Sequence, residues 1–223
     1  MIKKILKQLF GRGILATLSN YKILSVDFGQ YRTIKHWDCV DSNNNPIPWY
    51  TYPAIEYINQ LDFSDKSIFE YGSGNSTRFW ANRCEKLVSV EDSREWFDKI
   101  KAKIPATVEY NLFEQKEEYV KSIREYSNEF DVIIIDGSHR YNCAVEALKK
   151  LRNDGFIILD NSDWMDLTSK LLRDADLIEV DMSGFGPING HTWTTSFYFR
   201  RSVKLSPAHE RQPIREIGGR SRA

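Results

Sequence analysis

From Trp49 onward, apolar positions follow a repeating rhythm: short runs that read as buried strands, each followed by a segment with apolar side chains at helical spacing. Strands are expected at residues 67–71, 86–90, 107–110, 132–135, 156–160, 177–181 and 192–200. Helices are expected at 53–61, opened by Pro53, and at 76–84, 94–103, 114–126 and 166–173. A further helix carries Ala144, Ala147, Leu148 and Leu151, and Asn153-Asp154-Gly155 is expected to stop it before the strand FIILD. Val132 to Ile135 are all apolar and β-branched, as in a central parallel strand covered on both faces. The alternation predicts an α/β fold: a Rossmann-like doubly wound sheet, mostly parallel, with helices on both faces.

The rhythm divides the chain. Residues 1–48 read as an N-terminal helix and an irregular, aromatic-rich leading segment, 49–201 as the α/β domain, and 202–223 as a polar, Arg-rich tail expected to be mobile. In the opening MIKKILKQLF, Ile2, Ile5, Leu6 and Leu9 share a helical face, with Lys3, Lys4 and Lys7 mostly elsewhere. Such a helix suits an anionic membrane surface, a partner or its own domain, and the last is the expectation. Gly11 and Gly13 interrupt the run before it could span a bilayer, so neither a signal peptide nor an anchor is expected.

Composition narrows the classes. At 223 residues and 41% apolar, the chain holds one full core. Lys and Arg number 31, as do Asp and Glu, so no net field favours nucleic acid. Cys39, Cys84 and Cys143 fit neither a disulfide framework nor a zinc knuckle, which points to a reducing cytoplasm.

The chemistry gathers where strands end. SIFEYGSGNST joins a strand to an acid and a small-residue turn, where Gly72 and Gly74 let backbone approach a ligand. Glu70, Glu91, Asp136 and Asp160 each end an apolar strand, which places them on the sheet edge where ligands bind. Any one alone also reads as a solvated turn residue or helix cap. Glu91 lies 19 positions after Gly72, the spacing of an acid that accepts ribose hydroxyls, so the ligand is expected to contain adenosine. The third glycine of the dinucleotide fingerprint is absent, and the preceding carboxylate would oppose a pyrophosphate but tolerate a sulfonium and an amino group. A nicotinamide reductase is therefore disfavoured.

On EYGSGNST and VEDS, residues 49–200 resemble the class I S-adenosylmethionine-dependent methyltransferases. The resemblance implies an antiparallel last strand, and a cofactor set of Glu70, Gly72, Ser73, Gly74, Asn75, Ser76, Glu91 and Asp136. The methionine moiety would lie at the turn, the ribose on Glu91 and the adenine near residues 111–113. IIIDGSH and IILDNSD also resemble metal-dependent O-methyltransferases of the catechol and sugar-modifying types, which implies Mg²⁺ or Ca²⁺ on Asp136, Asp160 and Asn161. The other reading leaves Asp136 orienting the cofactor and Asp160 and Asn161 capping a helix. His139 occupies the offset at which catechol-type enzymes carry a lysine base, so His139 and Asp136 are the candidate catalytic pair.

The implied activity is transfer of a methyl group to a hydroxyl of a sugar, aromatic or other small molecule, and a non-catalytic cofactor- or partner-binding protein of the same fold is the alternative. Trp49, Tyr50, Tyr52, Trp164, Phe185 and Trp193 flank the expected acceptor side, with Asn189 and His191 in the loop SGFGPINGH; Trp193 also suits the core, and Trp80 and Trp96 read as core. The sequence leaves the acceptor and the oligomeric state open.

Overall fold

The computed structural model describes residues 2–127 and 129–219, with side chains from Gly11 onward. The lysine-rich face expected over residues 1–10 therefore lies outside the described side chains, as do residues 220–223 of the tail. Helix α1 (Ile2–Lys22), interrupted at Gly11 (φ 70°, ψ 165°), leads through a π-helical turn at Ile23–Asp27 to α2 (Gln30–His36). Then come α3 (Tyr52–Ile58), β1 (Ser67–Tyr71), α4 (Asn75–Ala81), β2 (Lys86–Glu91), α5 (Arg94–Lys101) and β3 (Glu109–Leu112). The chain continues through α6 (Lys116–Lys121), β4 (Phe130–Ile135), α7 (Arg140–Ala147), β5 (Leu151–Leu159), α8 (Asp166–Asp174), β6 (Ile178–Gly184) and β7 (Trp193–Phe199).

The seven strands form one sheet in the order β3-β2-β1-β4-β5-β7-β6, parallel from β3 to β5. β7 runs antiparallel to both β5 and β6. The order reverses between β1 and β4, which opens the carboxyl edge there to a ligand. Because side chains alternate, Ile68, Ile134 and Ile158 face one way into a core with Tyr50, Phe63 and Trp80. Phe69, Ile133 and Leu159 face the other way, onto Tyr119, Ala144, Ala147 and Leu172 of α6, α7 and α8.

Three local expectations are corrected. Asn153-Asp154-Gly155 does not stop a helix: α7 ends at Ala147 and the triplet lies inside β5. There the register slips, with Phe130 opposite Leu151 but Val132 opposite Phe156, and a Cβ on Gly155 would come within 2.5 Å of Asp131 O. β3 begins two residues late because Val108 N–H bonds Pro105 O, keeping Thr107 in the preceding turn. The polar helix expected over 114–126 is α6 followed by a 3₁₀ turn.

The leading segment is tied to the sheet edge. Gln30 Nε2 donates to Gly186 O (2.8 Å) and Asn189 O (3.2 Å), and Ile188 N–H to Thr33 Oγ1 (2.8 Å). Asn75 Nδ2 donates to Asp38 Oδ1 and Cys39 O, each at 2.7 Å. The tail lies along α3, with Pro207 bridging Leu61 and Ile217 N–H donating to Glu56 Oε1. No helix among the described residues is long and apolar enough to cross a membrane.

Candidate functional site

Alternation carries the acids onto one face. Glu70 follows Ile68, Asp136 follows Ile134 and Asp160 follows Ile158, each two residues on, and Glu91 follows Leu87 and Ser89 in the same way. The four carboxylates therefore share the α4 side of β1, β2, β4 and β5, at two depths.

Glu70 is the deep one, and it is fully buried rather than presented at the edge. Its Oε2 accepts from Thr77 Oγ1 (2.6 Å) and Ser89 Oγ (2.7 Å), while Oε1 has no partner. Burial pushes its pKa up to about 7 against those hydrogen bonds. Gly74 N–H donates to Thr77 Oγ1 (3.1 Å), so Glu70 braces the glycine turn from beneath. Above it, Gly72 adopts φ 92° and touches the turn after β4, where a Cβ would come 2.8 Å from Gly137 N. Only glycine satisfies both the conformation and the approach.

Glu91 stands at the edge. Its Oε2 accepts from Ser73 Oγ (2.5 Å), which also lies 2.9 Å from Tyr110 Oη, and its Oε1 accepts from Asp92 N–H (3.1 Å) and Ser93 N–H (3.0 Å). Burial raises its pKa, opposed by the Ser73 and Ser93 bonds. Trp96, read from sequence as core, instead donates through Nε1 to Ser73 O (2.8 Å) at the mouth of the turn, with Lys99 Nζ 4.6 Å from its ring centre.

On the other side of the reversal, Asp136 and Asp160 meet a residue the sequence reading passed over. Arg140 Nη2 lies 3.2 Å from Asp136 Oδ1 and Nε donates to Gly137 O (3.0 Å). Its Nη1 reaches Asn161 Oδ1 (3.1 Å) and Asp160 O. Burial raises Asp136 to about 6 against the Arg140 charge, and burial and the Asp136 charge together push Asp160 well above the usual carboxylate range. Asp160 Oδ1 is turned away, accepting from Trp193 Nε1 (3.1 Å) and Thr195 Oγ1 (2.5 Å).

The metal expectation, Mg²⁺ or Ca²⁺ on Asp136, Asp160 and Asn161, gains no support here. The Arg140 guanidinium already stands among Asp136, Asn161 and Asp160 O, and the Asp160 carboxylate accepts from Trp193 and Thr195. Among the described residues, no group of three or more His, Cys, Asp or Glu side chains is placed to hold a metal.

His139 caps α7 in a left-handed conformation (φ 54°) and is exposed. With Gly137, Arg140, Asn161, Trp164 and Asp166 it lines a basin of about 760 Å³ over the ends of β4 and β5. Of the aromatic residues expected there, only Trp164 lines it, 61% exposed. Tyr50, Tyr52 and Trp193 are buried, Trp49 is half-buried and Phe185 lies outside the basin lining. Asn189 and its loop are pinned by Gln30 and Thr33, while His191 lies beside Trp164, ring centres 6.5 Å apart. Arg140 directly follows IIIDGSH, but it is the non-helical turn at residues 137–139, with His139 left-handed, that brings it back over the strand end. Trp96 had no signal in the sequence beyond its place in the first turn of α5.

No protein-family model matches the chain, and no curated protein matches it. Solved structures do, at low identity. Precorrin-6y C5,15-methyltransferase from Geobacter metallireducens GS-15 is 12% identical over 66% of this chain and 87% of that one, with a TM-score of 0.54. Spermidine synthase from Thermotoga maritima (16%, 68% and 57%, TM-score 0.49) and a methyltransferase from Pyrococcus furiosus (17%, 67% and 83%, TM-score 0.47) superpose less well. The strand order, the antiparallel β7 and the likeness to the Geobacter enzyme together establish that the chain has the fold of the class I S-adenosylmethionine-dependent methyltransferases.

Proposed function

We propose that the chain is an S-adenosylmethionine-dependent methyltransferase whose acceptor, a hydroxyl of a sugar, aromatic or other small molecule, enters the basin beside His139. The observation that carries this reading is the layout of the edge: the Gly72–Gly74 turn lies between Glu91 and Asp136, and the basin opens beyond Asp136. An edge lined by carboxylates suits a ligand with hydroxyls, an amino group and a sulfonium, and opposes a pyrophosphate. The residues fit that ligand. Glu91 Oε2 is held by one serine hydroxyl, which ribose hydroxyls can replace, and the backbone of residues 72–75 approaches without intervening side chains at Gly72 and Gly74.

When bound, S-adenosylmethionine supplies a methyl group activated by the sulfonium charge. The chain then has to place, desolvate and deprotonate the acceptor. His139, exposed in the basin, accepts the hydroxyl proton. Arg140 holds the Asp136 and Asn161 side chains at the boundary between cofactor and acceptor, and Trp164 offers a flat apolar face to a sugar or aromatic ring. The basin is open, with His139, Asn161 and Asp166 in its lining, which favours catalysis over the non-catalytic alternative. The three free cysteines agree with a cytoplasmic setting.

The test is incubation with methyl-labelled S-adenosylmethionine and a panel of sugars, catechols and lipid-linked glycans. Label should pass to one acceptor class and fall about a hundredfold in His139→Ala with S-adenosylhomocysteine affinity unchanged. A wild-type chain that neither binds S-adenosylhomocysteine nor transfers label would overturn the reading.

A further inference from the structure

We propose that α1 and α2 form a platform that docks the protein on an anionic phospholipid surface. Residues 11–22 of α1 are exposed except for half-buried Leu15, and a Cβ added at Gly11 or Gly13 would meet nothing within 4 Å. Ile14, Leu18 (57% exposed) and Tyr21 recur at positions i, i+4 and i+7, so they line one exposed face of this helix, uncovered among the described residues. α2 turns Gln30 and Thr33 into the protein, which leaves Tyr31, Ile34 and, at its C-cap, Trp37 (63% exposed) outside.

Charge identifies what covers these side chains. Residues 1–37 carry seven Lys and Arg against one acid, Asp27, in a chain that balances 31 against 31. Lys22 pairs with Asp27, and among the described residues Arg12, Arg32 and Lys35 make no ion pair. A second copy on the same face would set two basic segments against each other, which like-charge repulsion disfavours. An anionic lipid surface instead accepts the cations at its phosphates, the aliphatic side chains at the acyl boundary, and Tyr and Trp at the headgroup level.

The platform also borders the candidate site. Trp37, Trp96, Lys99 and Gly74 line one groove of about 300 Å³, so docking brings the mouth of the glycine turn close to the headgroups. The docking itself does not depend on methyl transfer.

The test is co-sedimentation of the full chain with vesicles of phosphatidylcholine alone or mixed with phosphatidylserine. Binding to the mixed vesicles is expected to be at least about tenfold tighter and to weaken with salt. Leu18→Glu/Tyr31→Glu and Arg12→Glu/Lys35→Glu should each lower it about tenfold or more at unchanged thermal midpoint, since all four positions are exposed. Failure to bind mixed vesicles, equal binding to both vesicle types, or a dimer that Leu18→Glu dissociates in a chain without vesicle affinity would overturn the proposal.

Discussion

Around the Gly72–Gly74 turn the polar side chains bond one another: Glu70 to Thr77 and Ser89, Ser73 to Glu91 and Tyr110. Over β4 and β5, Arg140 ties down the strand ends, but His139, Trp164 and Asp166 line an open basin without a comparable network. One half of the edge is shaped in advance and the other is open; on the proposed function the first suits a constant ligand and the second leaves room for the group that distinguishes one acceptor from another. A shared cofactor needs a fixed seat; a particular acceptor needs a lining that can be varied without disturbing the seat.

The largest break in this contrast should come at the turn. Gly72→Ala combines a φ of 92° with a backbone approach of 2.8 Å, so it should lower unfolding stability in urea by about 3 kcal/mol and abolish S-adenosylhomocysteine binding. Gly190→Ala, where a Cβ meets nothing within 4 Å, should change stability by less than about 1 kcal/mol. Equal effects at the two positions would erase the distinction.

Arg140→Ala should cost about 2–3 kcal/mol, because it strands Asp136 in a largely buried setting. Adding Asp136→Asn should restore part of the loss, since the stranded charge is then gone. A purely additive double variant would show that the ion pair is not the cause.

Proton linkage gives a smaller and more specific signature. Burial lifts Glu70 from 4.5 to about 7, so between those values the folded chain keeps a proton that the unfolded chain has released. Stability should therefore fall as pH rises from about 4.5 through about 7, and Glu70→Gln should flatten that slope in urea titrations at successive pH values. Asp136, lifted from 3.8 to about 6, contributes in the same direction over its own range and should remain in the variant. The smallest effect is expected at Trp164→Ala, within about 0.5 kcal/mol of wild type in stability while acceptor turnover falls, because the ring is exposed in the basin.

Sequence periodicity located the frame because a buried parallel strand leaves a plain mark: Ser67–Tyr71 is found as expected, and Val132 to Ile135 lie within β4 as read. It also placed Glu91 and Asp136 at the edge, since both end such runs. It missed that Glu70 is one pleat deeper, a matter of the turn beginning at Gly72 rather than at the acid. Asn153-Asp154-Gly155 misled because turn-like composition also suits a bulge, and only pairing with Phe130 and Val132 separates the two. Gln30 reaches Gly186 across 156 positions, and no local pattern encodes such a tie. Arg140 directly follows the motif IIIDGSH, but a neighbour's charge and reach become visible only when the strand ends are side by side.

The central claim is that the turn between Glu91 and Asp136 seats an adenosine cofactor, and calorimetric titration of the full chain with S-adenosylhomocysteine tests it most directly. Saturable one-to-one binding, weakened about tenfold or more in Glu91→Ala and absent with NAD, is the predicted result. No binding to wild type, or equal affinity in Glu91→Ala, would contradict it.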